Sequence, residues 1–244
     1  MAETRVMTRR ELFAIAGLGS FFIGWTVLVV TGVLSPVQDL VESSMLIWQW
    51  PALRILFTTI TTIGEPGVIG TGVVLITLWL LYKRAWRPAL TVLVTGLLTM
   101  LATDGIKHWL AIARPDVSWA PSSYSYPSGH TTGATLLALV TGRTLMAGQG
   151  LRRQQWVIAG VAAYAALVAS SRIYLGVHWI ADIVGGLMLA SLVWMVTLHL
   201  IVRPERDQWP KIANPRLLWL PVIALVIYLI VALPKELKHY LFVG

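Results

Sequence analysis

Residues 178–202 read HWIADIVGGLMLASLVWMVTLHLIV, an apolar run in which Asp182 is the only acidic residue and no lysine or arginine occurs. An α-helix needs about 20 apolar residues to cross the hydrocarbon core of a bilayer, so this run is long enough to span a membrane. The whole chain has the same character. Of its 244 residues, 57% are hydrophobic and 12% charged, with a mean hydropathy of +0.73, whereas soluble domains are about 25% charged. We therefore interpret the chain as an integral membrane protein.

Other apolar runs along the chain also have lengths suited to a membrane span. Together with the run above, the predicted spans are 11–34, 66–82, 87–106, 131–148, 155–172, 178–202 and 217–234. The last is short and could lie in the interface instead. The runs predict an all-α, polytopic membrane bundle of six core transmembrane helices plus an extra C-terminal hydrophobic helix. Because no internal repeat or low-complexity linker interrupts the sequence, we expect a single membrane domain over residues 1–244.

The basic residues predict the orientation of the chain. With the N-terminus in the cytoplasm, most of the 19 lysines and arginines fall in cytoplasmic loops, in short clusters between apolar runs. The formal charge of +8 is attributed to this topology, and nucleic-acid binding is not expected. Residues 35–54 mix acidic and aromatic side chains with apolar ones, which predicts an interfacial helix on the outer leaflet. The absence of cysteine excludes disulfides and thiolate metal sites.

Ionisable residues at the outer ends of the middle spans form three groups, of which the first contains Lys107 and Arg114. These two residues are seven apart, so on a helix they would share one face two turns apart. Pro115 makes continuation of that helix beyond residues 113–114 unfavourable. Two cations at a helix end suit a phosphate group. The alternative is that both side chains only extend to the membrane–water interface, where their charges are hydrated.

The second group is Tyr126-Pro127-Ser128-Gly129-His130, which precedes an apolar run. Here a loop enters the N-terminus of a predicted helix, where free backbone N–H groups favour anions. Gly129 allows the backbone to approach a phosphate closely, and His130 is placed to donate a proton to a leaving oxygen. The alternative is a capped turn without a ligand.

The third group contains Arg172, His178 and Asp182. His178 and Asp182 are four residues apart, which predicts that they project from one helix face. A carboxylate bonded to one imidazole nitrogen fixes the tautomer and leaves the other nitrogen as a nucleophile. Arg172 would add a third cation. The alternative is a purely structural His–Asp pair. In the predicted topology all three groups face one compartment, which favours a shared function.

Taken together, Lys107-x6-Arg114-Pro115, Pro127-Ser128-Gly129-His130 and Ser171-Arg172-x5-His178-x3-Asp182 resemble the three-part signature of the type 2 phosphatidic acid phosphatase family. The six-helix layout extends the resemblance to about residues 11–202 and leaves about 203–244 as an extra C-terminal segment. Vanadium haloperoxidases are similar in signature, but they are soluble, which this composition excludes.

The resemblance implies a role for each residue of the signature. His178 is the expected nucleophile, Asp182 orients it, and His130 acts as acid and then as base. The phosphate-binding residues implied are Lys107, Arg114, Ser128, Gly129 and Arg172.

We expect no metal ion and no cofactor. Two-metal phosphatases need a cluster of carboxylates and histidines, whereas this chain has 11 acidic residues in all, few of them near the motifs. Glu65, in Gly64-Glu65-Pro66-Gly67 at the outer end of the second span, is a candidate for lining the substrate entrance. The alternative is a solvated turn.

The expected function is metal-independent dephosphorylation of a membrane lipid through a phosphohistidine. The resemblance implies undecaprenyl diphosphate, phosphatidylglycerophosphate, phosphatidate or diacylglycerol diphosphate as substrates. The expected partners are that lipid and the bilayer, with no obligate protein partner. The expected location is the bacterial cytoplasmic (inner) membrane, with the site facing the extracytoplasmic side. Two alternatives are a lipid phosphotransferase using the same histidine and a non-enzymatic transporter or membrane scaffold. Clustering at one membrane face rather than at the midplane argues against the transporter.

Overall fold

The computed structural model describes residues 7–47, 50–201, 209–211 and 219–242, and every regular element within these ranges is an α-helix. The helices are α1 (Arg9–Val30), α2 (Ser35–Ile47), α3 (Pro51–Ile63), α4 (Pro66–Tyr82), α5 (Trp86–Leu110), α6 (Gly129–Met146), α7 (Leu151–Tyr174), α8 (Ile180–Ile201) and α9 (Trp219–Phe242). The predicted all-α class is confirmed.

Five helical segments of the described chain are long and apolar enough to cross a membrane: Arg9–Val30, Pro51–Tyr82 (α3 with α4), Trp86–Leu110, Leu151–Tyr174 and Ile180–Ile201. The polytopic membrane architecture is therefore confirmed. The predicted fourth span, 131–148, corresponds to α6, and the predicted seventh, 217–234, overlaps α9 from residue 219 onward. Neither helix is among the five, so the number of six core spans stays a prediction.

Several predicted boundaries shift. The span 66–82 coincides with α4, whereas the single interfacial helix predicted over 35–54 is instead divided between α2 and α3. Pro51 begins α3 because proline has no N–H to donate, which suits the first helical position. Helix α3 then continues to Ile63, well beyond the predicted end, and α9 extends beyond 234 with Pro234 inside it.

Helix α6 lies at the centre of the bundle, packed against α4, α5, α7 and α8. It is rich in threonine, and these hydroxyls donate to backbone carbonyls one turn back: Thr132 to Ser128 at 2.7 Å and Thr135 to Thr131 at 2.7 Å. A hydroxyl satisfied in this way can be buried without leaving an unpaired polar group. Contact with four other helices accounts for the burial of this threonine-rich helix.

Two adjacent glycines bring α8 against the segment that carries the predicted phosphate loop. A Cβ atom on Gly185 would lie 2.5 Å from the ring of Tyr126, and one on Gly186 would lie 2.8 Å from the Thr132 hydroxyl and 3.1 Å from the Ser128 carbonyl oxygen. Because any larger residue would separate these surfaces, the glycine pair sets the distance between the start of α6 and the start of α8.

We expect Gly186→Ala to lower the thermal unfolding midpoint of the detergent-purified protein, because overpacking a close contact typically costs about 1–3 kcal/mol and part of the obstruction here is backbone. Gly160→Ala in α7 is the matched control, since a Cβ there meets nothing within 4 Å. Equal unfolding midpoints for the two variants would contradict the packing argument.

Candidate active site

His178 and Asp182 form a buried pair where the chain enters α8. The imidazole Nδ1 lies 3.0 Å from Asp182 Oδ2, and the Trp179 backbone N–H donates to the same oxygen at 2.9 Å. His178 is 4% exposed and Asp182 is fully buried. His178 precedes the first residue of α8, so the predicted pairing occurs across the start of the helix rather than along one face. The helix N-terminus favours the carboxylate placed there.

Arg114 determines which nitrogen of His178 carries the proton. Its Nη1 lies 2.9 Å from His178 Nε2, and it also donates to the Val177 carbonyl oxygen at 2.7 Å. A guanidinium has only donors, so Nε2 must accept. The proton of the neutral ring is then on Nδ1, where it is donated to Asp182. The arrangement is that of an oriented histidine whose Nε2 lone pair points toward a cation.

The surroundings of His178 also keep the ring neutral. Burial is the main cause that holds the pKa of His178 well below its usual range, and the positive charges of Arg172, Arg114 and Lys107 act in the same direction. Burial, together with the nearby Arg172, lowers the pKa of Arg114 to about 10, so that guanidinium remains charged at neutral pH. The result is a neutral nucleophile candidate among cations.

Lys107 and Arg114 converge on one loop. Lys107 Nζ donates to the carbonyl oxygens of Tyr124 at 2.5 Å and Ser125 at 3.0 Å, while Arg114 Nε donates to the carbonyl oxygen of Ser123 at 2.6 Å. The expectation that both cations lie on one helix face is wrong. Helix α5 ends at Leu110, where Ala111 adopts a left-handed conformation, so Arg114 extends from the following loop.

The predicted anion site at the start of α6 has the expected cap. The Ser128 hydroxyl accepts from the Thr131 backbone N–H at 3.4 Å, and the Ser128 backbone N–H donates to the Asp182 carbonyl oxygen at 3.1 Å. A Cβ on Gly129 would meet no atom closer than 4.0 Å, so there is room beside this helix terminus. These bonds join the phosphate-loop candidate directly to the start of α8.

His130 contacts Glu65, which forms a second histidine–carboxylate pair. His130 Nε2 lies 3.1 Å from Glu65 Oε1, and both side chains are partly buried. Glu65 immediately precedes α4, whereas His130 lies in the first turn of α6, so this contact joins the starts of two helices. Sequence reasoning missed this contact because 65 residues separate the partners and no local spacing signals it. The entrance role of Glu65 stays a prediction.

Arg172 is almost fully buried, at 1% exposure, and is directed toward α3 and α9. Its Nη1 donates to the Thr61 hydroxyl at 2.7 Å and to the Tyr240 hydroxyl at 3.0 Å. Neither hydroxyl was singled out in the sequence. The charge of Arg172 nevertheless acts on His178 and Arg114.

The structure gathers the predicted site residues at one end of the bundle, where α5 and α7 end and α6 and α8 begin. The residues at this end are Glu65, Lys107, Arg114, Ser128, Gly129, His130, Arg172, His178 and Asp182. In the described residues, no group of three or more His, Asp or Glu side chains is arranged to hold a metal ion.

Comparisons with known proteins relate this arrangement to a family. The model of the PAP2 superfamily matches residues 86–206, a range that contains every predicted site residue except Glu65. A phosphatidylglycerophosphatase B from Bacillus subtilis is 29% identical over 72% of this chain and 89% of its own length. An undecaprenyl-diphosphatase from Sulfolobus acidocaldarius is 27% identical over 50% of this chain and 60% of its own length.

The fold agrees with these matches. The crystal structure of a transmembrane PAP2-type phosphatidylglycerolphosphate phosphatase from Bacillus subtilis superposes with a TM-score of 0.67 at 26% identity, over 80% of this chain and 98% of that one. The signature residues meet at one end of an all-helical membrane bundle, and both sequence and fold match the same group of proteins, so the chain is similar to the PAP2 superfamily over residues 86–206 and in its fold.

Proposed function

We propose that the chain is a lipid phosphatase that removes phosphate from a membrane lipid mono- or diphosphate through a phosphohistidine at His178. The observation that carries the proposal is the pair of contacts made by His178, to Asp182 through Nδ1 and to Arg114 through Nε2. A neutral ring in these contacts has its proton on Nδ1, which leaves Nε2 as the nucleophilic nitrogen. The relatives named as phosphatases of phosphatidylglycerophosphate and undecaprenyl diphosphate support the substrate class.

The reaction has two steps. In the first, Nε2 of His178 attacks phosphorus, a bond from nitrogen to phosphorus forms, and the bond from phosphorus to the lipid oxygen breaks. His130, in its protonated form stabilised by Glu65, gives a proton to the departing oxygen and becomes neutral. In the second step, His130 takes a proton from water, the water oxygen attacks phosphorus, and the bond to His178 breaks. Inorganic phosphate leaves, and both histidines return to their starting states.

Arg114 has to change partners for the first step. Its Nη1 donates to Nε2 of His178, so the lone pair that attacks phosphorus is engaged in the structure. An incoming phosphate offers the guanidinium a charged acceptor, and bonds between ionised groups are about twice as strong as neutral ones. Substrate binding thereby draws Arg114 onto a phosphate oxygen and frees the nucleophile.

The transition state is stabilised by cations and backbone groups of this chain. Lys107, Arg114 and Arg172 supply positive charge, while the Ser128 hydroxyl and the Gly129 amide at the start of α6 bind equatorial oxygens. Asp182 stabilises the imidazolium that forms at His178. This set balances the phosphate charge with side chains, and the proposed reaction therefore proceeds without a metal ion.

The site is proposed to face the extracytoplasmic side of a bacterial inner membrane, with the N-terminus in the cytoplasm. The distribution of basic residues supports this orientation. All predicted site residues lie near helix ends, which supports a site that receives the headgroup of a lipid while the apolar tail stays in the membrane.

The direct test is phosphate release by detergent-purified protein from a panel of lipid mono- and diphosphates, with EDTA present. We expect turnover in the wild type and a loss of at least about 10³-fold in His178→Ala, since the nucleophile itself is removed. His108→Ala is the matched control, because His108 is an exposed histidine whose Nδ1 contacts the Asp104 carbonyl oxygen within its own helix and whose ring meets Tyr124 edge-on at 6.0 Å, without contact to His178.

Phosphate release by His178→Ala at the wild-type rate would refute the phosphohistidine. Release that occurs only after an acceptor lipid is added would favour a phosphotransferase.

Glu65→Gln tests the acid–base pair. Loss of the carboxylate removes the partner that orients His130, so we expect kcat to fall about 10- to 100-fold, less than the 10²- to 10⁴-fold typical of removing an acid–base group itself. KM should change little. Asp39→Asn, at an exposed carboxylate of α2, serves as the control. A rise in KM with kcat intact would instead support the entrance role of Glu65.

The pH profile tests the neutral nucleophile. Only neutral His178 can attack, so its ionisation gives an acid limb on which activity is gained as pH rises through its pKa. Because burial and three cations depress that pKa, the acid limb of kcat/KM should lie below the ordinary imidazole pKa of about 6.5. Arg114→Gln removes one of the cations and should move this limb toward higher pH. An acid limb above pH 7 in the wild type would contradict the assignment.

A further inference from the structure

Helix α9 contacts the candidate active site although it lies outside the residues matched by the family model. Tyr240, 3% exposed, accepts a hydrogen bond from Arg172 through its hydroxyl at 3.0 Å and one from Arg54 Nη2 through its carbonyl at 2.5 Å. The adjacent His239 contacts the Trp119 carbonyl oxygen at 2.9 Å through Nε2. The end of α9 is therefore fixed beside the cation cluster.

Arg172 has an unusual environment for a buried guanidinium. Its hydrogen-bond acceptors are two neutral hydroxyls, on Thr61 and Tyr240, and its Nε has no partner in the described part of the chain. No carboxylate of the described residues lies within ion-pair distance of it. The carboxylates of Glu65 and Glu236 interact with its charge electrostatically, but the hydrogen bonds of the guanidinium go to the two hydroxyls. Its charge is therefore only partly balanced, and an anion bound beside it would stabilise it further. Neutral acceptors orient the group while leaving its charge for the ligand.

Several packing contacts around Tyr240 fix the position of this end of α9. Arg54 stacks over the ring of Trp119 at 4.3 Å, and Trp119 Nε1 donates to the Leu175 carbonyl oxygen at 2.8 Å, in the loop that leads to His178. Further along α9, the ring of Tyr228 lies against Gly67, where a Cβ would come within 2.8 Å of it. The position of the Tyr240 hydroxyl thus follows from packing rather than from the hydrogen bond to Arg172 alone.

We propose that Tyr240 is a positioning residue, which holds the Arg172 guanidinium in the orientation that binds the phosphate group, so that α9 completes the phosphate site. The inference rests on the proposed function, because it deepens the role of Arg172 in that site. Thr61 of α3 accepts the other hydrogen bond from Arg172 Nη1 and so helps to hold the guanidinium in place. The ligand that Arg172 would bind in this orientation is a phosphate group, through its equatorial oxygens.

The test uses Tyr240→Phe, which removes the hydroxyl and retains the ring. The readout is the binding of inorganic phosphate and of vanadate to the detergent-purified full chain by calorimetry, alongside lipid turnover. A hydrogen bond to a charged group corresponds to an effect of about ten- to a hundredfold, so we expect Kd for both anions to rise by about that factor. We expect kcat/KM to fall in parallel.

The matched control is Tyr164→Phe. Tyr164 is also a partly buried tyrosine whose hydroxyl donates to a backbone oxygen of α3, that of Ile63 at 3.2 Å, but it makes no hydrogen bond to Arg172. A double-mutant cycle separates positioning from general destabilisation. In an Arg172→Ala background, Tyr240→Phe should change anion affinity by no more than about twofold, because the group through which it acts is gone.

The outcomes distinguish the two proposals. Equal anion affinities for Tyr240→Phe and Tyr164→Phe, a full effect of Tyr240→Phe in the Arg172→Ala background, or a wild type that binds neither anion would overturn the positioning role. Wild-type protein that binds both anions with the expected dependence on Tyr240, but releases no phosphate from any lipid, would refute the proposed function while leaving the positioning role in place.

Discussion

A neutral histidine surrounded by buried cations is the arrangement on which the rest of the site depends. Lys107, Arg114 and Arg172 all act on His178, and Asp182 is the carboxylate in contact with that ring. The hydrogen bonds of the three cations described above go to carbonyls, hydroxyls and the imidazole itself. These neutral acceptors satisfy the hydrogen-bond donors of each cation but do not neutralise its charge. The cluster therefore favours an anionic ligand.

This arrangement constrains the backbone around it. The carbonyl oxygens that receive Lys107 and Arg114 belong to residues 123–125, so the loop before α6 is shaped by the cations it faces. The Ser128 N–H bond to the Asp182 carbonyl then joins that loop to α8. The glycine pair of α8 provides the close approach that this bond requires. The same few residues therefore determine both the packing of the helices and the geometry of the site.

Much of this could be predicted from the sequence, because the informative patterns are local. Apolar run length identified the all-α membrane class, and the short spacing between His178 and Asp182 predicted their pairing. Helix α5 ends at Leu110, between the predicted end of the span at 106 and the limit that Pro115 sets at 113–114, because a left-handed Ala111 has no signal comparable to that of a glycine or proline. The division of 35–54 into two helices was missed although Pro51 suits a helix start.

The remaining contacts could not be predicted because they join distant parts of the chain. Glu65 meets His130 and Tyr240 meets Arg172 across 65 and 68 residues, and neither partner belongs to a recurring spacing. Such contacts depend on how helices pack, and threonine-rich α6 shows how weakly hydropathy alone reports that packing. The threonine hydroxyls donate to carbonyl oxygens of the same helix, so α6 can contain many polar side chains and still lie at the centre of the bundle.

The order of the helices along the chain has a consequence for biogenesis. Helix α9 is synthesised after α3 and α7, yet Tyr240 supplies one of the two hydroxyls that receive Arg172. Until α9 has left the ribosome and docked, the guanidinium of Arg172 lacks one of the two hydroxyl acceptors that it has among the described residues. Docking of α9 is therefore the step that completes the hydrogen bonds of Arg172 described above.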